Sequence, residues 1–315
     1  CRKHAYNLQL NMEDQLFLEP FRIKVVEHIQ IPDREERRRV LEQARFNLFN
    51  VPSEKIFIDL LTDSGTSAMS DQQVASLMVG DESYAGSKNF ELFCKTVREI
   101  TGFDHVIPVH QGRGAERIIC LALVKKGHIV PNNTHFDTTR ANVEFVGATA
   151  LDLPCEIAYD TQSETPFKGN MDTKALEMQL SKHAERIPFV LLTVTNNALG
   201  GQPVSLENIK EVSEICKRFN KPLWIDASRF AENTYLIKRN TPSLAGKSVR
   251  QIALEMFSFA DGCYMSCKKD GLSNTGGFIC VRDSTLAEKI KSLLLINEGF
   301  PTYGGLARRD LSAIA

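Results

Sequence analysis

The feature that most limits what this chain can become is an alternation. Beyond about residue 60, short apolar runs take turns with amphipathic helical stretches. The runs at 105–109, 128–131, 189–194, 222–226, 262–265 and 277–281 read as buried strands. One intervening helix is readily traced. Ser205 can cap it, Leu206, Ile209, Val212, Ile215, Cys216 and Phe219 share one face, and Asn220-Lys221-Pro222 ends it. Another helix follows Gly112, with Ile118, Ile119, Leu121, Leu123 and Val124 as its apolar content, and stops at Lys125-Lys126-Gly127. Strands separated by helices need crossovers, so the pattern predicts an α/β fold with a mainly parallel central sheet, doubly wound between about 60 and 300. Residues 1–32 read as an N-terminal arm, and a charged helix is expected over 33–47.

Charge and cysteine usage exclude several classes. A net charge of −1 over 315 residues gives no whole-chain field for nucleic acid or an anionic membrane. No apolar run reaches the ~18 residues of a membrane-spanning helix, and the first residues lack the apolar core of a signal peptide. The eight cysteines form no Cys-x-x-Cys pair and no zinc spacing with histidine. They read as small core residues of a protein in a reducing compartment, so a cytoplasmic location is expected. The chain starts at Cys1 rather than Met, which reads as a fragment at that end.

The chemistry concentrates in a few turns. Asp261-Gly-Cys-Tyr-Met-Ser266-Cys-Lys268-Lys269-Asp270 is an apolar run ending in a serine and two lysines, followed by the glycine-rich 271–277. A lysine at the carboxyl end of a buried strand sits where open α/β sheets bind ligands, and lysine is the side chain that forms a Schiff base with pyridoxal 5′-phosphate. Alone, the pair reads equally as surface lysines. His110-Gln111-Gly112-Arg113-Gly114-Ala115-Glu116 follows a strand and opens a helix, so its backbone N–H groups and Arg113 suit a phosphate; as a bare pattern it is also an ordinary turn. Ser266 and Lys268 could complete that cup. Asp226 ends the apolar run Pro222-Leu-Trp-Ile, and a pyridinium N–H would be a partner for a carboxylate buried there. Its plainer reading is a turn or capping acid. Phe136 offers a flat ring cover, and Asn197 and Arg229 offer donors for the cofactor's 3′-oxygen.

Together these stretches resemble the β-eliminating lyases of the pyridoxal phosphate fold-type I superfamily, the family of tryptophanase and tyrosine phenol-lyase. The similar segments include Glu19-Pro-Phe-Arg-Ile23, Ile58-Asp-Leu-Leu-Thr-Asp-Ser-Gly-Thr66 and Gly80-Asp-Glu-Ser-Tyr84-Ala-Gly86. They continue through 110–116, Gly200-Gly-Gln-Pro-Val204, Arg229-Phe-Ala-Glu-Asn233, 266–270 and 298–306. The resemblance implies an aspartate aminotransferase-like large domain over 61–315, part of a small domain over 33–60, and the arm over 1–32. It implies Lys269 as Schiff-base lysine and α-carbon base, and Gln111, Gly112, Arg113, Ser266 and Lys268 near the phosphate. Asp226 would pair with the ring nitrogen, Phe136 would stack, and Asn197 and Arg229 would lie near the 3′-oxygen. Tyr84 would help protonate the leaving aromatic carbon from a neighbouring subunit, which implies a dimer with shared active sites and a homotetramer beyond it. Glu82, with the carbonyls of Gly65 and Asn274, would bind K+ or another monovalent cation.

The implied reaction is β-elimination of an aromatic L-amino acid. Asp137 after the stacking Phe136 leans to tryptophan, since a carboxylate there suits an indole N–H; tyrosine, giving phenol, is the alternative. Cys267 and Gly271 depart from the family pattern, and Arg140 is shared with phenol-lyases. The family continues past Ala315, so the small domain is expected to be incomplete, without its arginine for the substrate carboxylate. Two other readings stay open: an inactive truncated paralogue serving as an oligomer partner, and another fold-type I enzyme such as an aminotransferase, which Tyr84 and Asp137 disfavour.

Overall fold

The computed structural model describes residues 22, 25, 26, 28–62, 64, 65 and 69–315. Most of the expected arm, with the segment 19–21, therefore lies outside the described residues. The chain divides into two compact units, Cys1–Thr62 and Asp63–Ala315.

In the first unit, α1 spans Arg34–Gln43, capped by Asp33, whose Oδ1 accepts the Glu36 N–H at 2.8 Å. It stops short of the expected residue 47. Arg45 and Phe46 take left-handed φ values of 52° and 57°, which no right-handed helix continues. A Lys55–Glu36 ion pair of 2.6 Å ties the following turns to α1.

The second unit runs α2 (Asp71–Val79), α3 (Lys88–Thr101), β1 (His105–Val109), α4 (Gly112–Leu123), β2 (Ile129–Asn132) and α5 (Asp137–Phe145). Then follow β3 (Thr149–Asp152), α6 (Thr173–His183), β4 (Val190–Thr193), α7 (Leu206–Arg218), β5 (Leu223–Asp226), α8 (Phe230–Asn240) and α9 (Val249–Ser258). Last come β6 (Gly262–Ser266), β7 (Gly277–Val281), α10 (Ser284–Asn297) and α11 (Arg308–Ile314). Ser205 caps α7 as its sequence predicts, its Oγ accepting the Asn208 N–H at 3.0 Å. The fold is the expected α/β type with one seven-stranded sheet in the order β1-β7-β6-β5-β4-β2-β3. Strands β2 to β6 pair in parallel, whereas β7 runs antiparallel to both β6 and β1. Those two reversals leave β1 pointing the same way as β6. The strand β3 is an addition to the sequence reading.

Alternation along the strands splits the core into two layers. Leu223, Ile225, Cys263 and Met265 face α3, α7 and α9. Trp224, Tyr264, Val130 and Leu191 face α4, α5 and α10. Because β1, β2, β4, β5 and β6 share a direction, their carboxyl ends open on one edge of the sheet, where open α/β folds place ligands.

Candidate active site

At that edge lies a cavity. From the end of β1, Gln111 is the extended N-cap residue of α4, and Gly112 and Arg113 form its first turn. The helix start packs directly on the end of β6. A Cβ at Gly112 would lie 2.7 Å from the Ser266 Cβ, so glycine is what permits the approach. The turn is braced from behind by the buried Glu298 carboxylate, which accepts the His110 N–H at 3.0 Å and also pairs with the His110 ring. Gln111, Gly112, Arg113, Ser266 and Lys268 all line this end of the cavity. Free N–H groups at a helix start, with a guanidinium and an ammonium nearby, make an anion site.

The floor is Asp226, 6% exposed. Its Oδ1 accepts the Ser228 N–H at 3.1 Å and the Ser228 hydroxyl at 2.8 Å, and its Oδ2 accepts the Tyr264 hydroxyl at 3.2 Å. Burial pushes the Asp226 carboxyl above the ordinary range, against the pull of the Ser228 hydrogen bonds and the Lys269 charge. Lys269 lines the same cavity, half-buried. Phe136, the N-cap residue of α5, comes from beyond β2, Asn197 from the turn after β4, and Arg229 from the turn after β5. The ten residues singled out from the sequence for a cofactor therefore all border one cavity.

The other singled-out residues stand away from it. Asp137 is the exposed first residue of α5, between Phe136 and Thr138, which do line the cavity. Tyr84 is half-exposed in an aromatic group with Phe300 and Tyr303, at centroid distances of 5.0 and 5.4 Å, under the Arg308 guanidinium. The Tyr84 and Tyr303 hydroxyls lie 3.2 Å apart, and the hydrogen bond between them raises the Tyr84 phenol above its ordinary range. Glu82 accepts the Arg308 N–H at 3.0 Å and pairs with Arg309 at 3.3 Å. Gly65 donates its N–H to the Lys268 carbonyl at 3.1 Å, and its φ of +78° turns the chain beside Lys268 and the Asn274 carbonyl. Among the described residues, no group of three or more His, Cys, Asp or Glu is placed to hold a metal ion.

Ser228, Tyr264 and Glu116 are among the site residues that escaped the sequence reading. Ser228 links the floor to β6, since its Oγ also accepts the Ser266 N–H at 3.1 Å. Glu116 lines the cavity with one carboxylate oxygen buried and unpartnered. Its only signal was an acid inside the glycine-rich 110–116 segment, where a helix predicts a solvated face.

Residues 59–313 match the family described as beta-eliminating lyase. The chain is 52% identical over 298 residues to a tryptophanase of Hyphomonas neptunium, covering 95% of this chain and 66% of that protein. A tryptophanase of Salinibacter ruber is also 52% identical, with 95% and 63% covered. A tyrosine phenol-lyase of Pasteurella multocida is 47% identical, with 94% and 65% covered. The chain thus spans just under two thirds of the length of these relatives. Among solved structures, an aminotransferase from Streptoalloteichus hindustanus superposes with a TM-score of 0.55 at 12% identity, over 80% of this chain and 64% of that one, a likeness of fold alone. The chain belongs to the beta-eliminating lyase family, whose fold is that of the pyridoxal phosphate enzymes of type I.

Proposed function

We propose that this chain carries the cofactor-binding part of a lyase that converts L-tryptophan and water into indole, pyruvate and ammonia with the help of pyridoxal 5′-phosphate. The observation that carries this reading is the convergence on one cavity of the ten residues singled out from the sequence. The donor set fits the cofactor: a helix start closed onto Ser266 suits its phosphate, and a carboxyl whose ionised form burial penalises gains from a cationic ring N–H. When bound, the cofactor supplies an aldehyde for amines and a ring that draws electrons from the substrate α-carbon.

The chain's own residues then divide the work. Gln111, Gly112, Arg113, Ser266 and Lys268 hold the phosphate, and Phe136 covers the ring. Asp226 accepts the ring N–H, while Asn197 and Arg229 donate to the 3′-oxygen. Lys269 takes the proton from the substrate α-carbon. Asp137, at the rim, accepts the indole N–H. Tyr84, delivered to the site of a second copy, assists the proton reaching indole C3 as the carbon–carbon bond breaks. Its half-exposed ring supports such a role in an oligomer, a dimer with shared sites assembling into a tetramer. Glu82 with the carbonyls of Gly65 and Asn274 holds K+ or another monovalent cation. Residues 1–32 serve as an arm, 33–60 as part of a small domain and 61–315 as the large domain. The location is the cytoplasm; no helix among the described residues is long and apolar enough to cross a membrane.

Tyrosine as substrate is the second reading, favoured by Arg140 and by relatives named for that activity. The test expresses the chain and, beside it, the product of any extended reading frame. Borohydride in the presence of pyridoxal phosphate is expected to label Lys269 in the wild type and nothing in Lys269→Ala; a label that survives the substitution overturns the assignment. Indole from tryptophan supports the first reading, phenol from tyrosine the second, and neither product from the extended protein supports an inactive paralogue.

A further inference from the structure

Beside the floor of the cavity lies a second carboxyl with no part in the scheme above. Glu116, on α4, is 5% exposed and sits on the same side of the sheet as Asp226 and Tyr264. Three oxygen–oxygen contacts join the two acids. Glu116 Oε1 lies 2.7 Å from Thr139 Oγ1, Thr139 Oγ1 lies 3.4 Å from the Tyr264 hydroxyl, and that hydroxyl lies 3.2 Å from Asp226 Oδ2. Protons can be counted along this path. With both acids ionised, Thr139 donates to Glu116 and Tyr264 donates to Asp226, and the two hydroxyl oxygens face each other with no proton between them. A third proton on either acid completes the path, and the partners place it on Glu116: Asp226 already accepts the Ser228 N–H and hydroxyl, whereas Glu116 meets only the Thr138 and Thr139 hydroxyls, so Glu116 donates to Thr139, Thr139 to Tyr264, and Tyr264 to Asp226.

A second observation concerns the other oxygen of Glu116. Its Oε2 and the Trp224 Nε1 are both buried and unpartnered within the protein, and Glu116, Thr139, Tyr264 and Trp224 border one small, apolar cavity.

We propose that Glu116 is a positioning residue held as a neutral acid, whose proton starts a one-way donor path through Thr139 and Tyr264 that fixes Asp226 as the anion beneath the cofactor ring. The groups facing it agree. Asp226 comes from β5, Tyr264 from β6, Lys269 from the turn after β6 and Cys120 from one turn further along α4; α5 presents only the Thr138 and Thr139 hydroxyls. Burial first, and then the Asp226 charge, push the Glu116 carboxyl up to about 7, with Lys269 pulling it down. The inference rests on the proposed cofactor reading for its consequence at Asp226, but the neutral acid itself does not.

Trp224 is the only tryptophan, so its emission reports on that cavity alone. In the cofactor-free full chain, emission is expected to follow one protonation with a midpoint near 7, to lose that transition in Glu116→Gln, and to shift it to lower pH in Asp226→Asn. Emission that is flat through neutral pH in the wild type, or a transition surviving in Glu116→Gln, overturns the proposal. Affinity for pyridoxal phosphate forms the second arm. Glutamine keeps an N–H donor toward Thr139, so Glu116→Gln is expected to bind within about threefold of wild type, and Glu116→Ala about tenfold more weakly. Equal binding by all three removes the positioning role. An emission transition without cofactor uptake by any form, wild type included, overturns the cofactor reading and the positioning role with it, and leaves the buried neutral acid standing.

Discussion

Replacing Glu116 with glutamine should change the pH dependence of stability, and the size of the change follows from the site. The carboxyl moves from an ordinary 4.5 to about 7 on folding. A raised carboxyl holds its proton in the folded state at pH values where the unfolded chain has released it. Stability from this group is therefore greatest in acid, falls as pH rises from the unfolded value, and levels off above the folded one. A shift of this size corresponds to about 3 kcal/mol in total, of which about 2 kcal/mol is lost between roughly pH 5.5 and 8. Glutamine does not titrate, so that loss is absent in the variant. Urea unfolding of both proteins at the two pH values isolates the effect, because groups remote from Glu116 cancel. The stability of wild type relative to Glu116→Gln should fall by about 2 kcal/mol across the interval. A difference constant to within about 0.5 kcal/mol would mean that Glu116 titrates as an ordinary surface acid, and the buried donor path would be wrong.

Three other substitutions or measurements probe different parts of the molecule. Gly112→Ala drives a Cβ to 2.7 Å from the Ser266 Cβ, so it should destabilise the fold by about 1–3 kcal/mol in urea and weaken pyridoxal phosphate binding in parallel. Asp137→Thr should lower indole release by an extended product while leaving cofactor affinity near wild type, since Asp137 is exposed and outside the cavity lining; equal loss of both would count against its substrate role. Six of the seven described cysteines are buried and Cys155 is only half-buried, with burial pushing Cys94 up to about 11 and Cys216 up to about 12. A thiol reagent on the native protein should modify Cys155 well ahead of the other described thiols, as read by peptide mass; rapid labelling of Cys216 would show that the helix layer opens readily.

The parts of this molecule that sequence revealed are those whose neighbours along the chain already carry the physics. A run such as Leu223–Asp226 is apolar because both faces of its strand are covered, and its last residue must then sit at the sheet edge. That logic delivers Asp226, Ser266, Lys268 and Lys269 together. It misses β3, where Thr149 is exposed and the strand forms the sheet's edge beside β2, so no apolar run marks it. The reversal of β7 was readable in principle. Residues 267–276 are too few for a helical crossover and contain glycines at 271 and 276, so only an antiparallel return is possible. Glu116 and Tyr264 were illegible for a different reason. Each looks ordinary in its own element, a charged residue in a helix and an aromatic in a strand. Their roles arise only when α4 and α5 pack on the same sheet face and bring Thr139 between them.

The proposed site also separates into two parts that obey different physics. Its floor is buried and closely packed: Ser266 against Gly112, Ser228 against Asp226, Tyr264 against Asp226. Nothing there can change without collisions or unpaired polar atoms, and in the proposed scheme the floor serves any amino acid whose α-proton is to be moved. Its rim is exposed. Asp137 projects from the first turn of α5, and Tyr84 stands in a half-exposed ring cluster with Phe300 and Tyr303. On this reading the leaving group is chosen by very few side chains. A carboxylate at 137 can accept the N–H of an indole, whereas a phenol offers its proton from the far end of a shorter ring and gains less from an acceptor in that place. Swapping residue 137 alone should therefore move the ratio of indole to phenol formation while borohydride labelling at Lys269 stays unchanged; if the ratio holds and labelling falls, position 137 belongs to the floor after all.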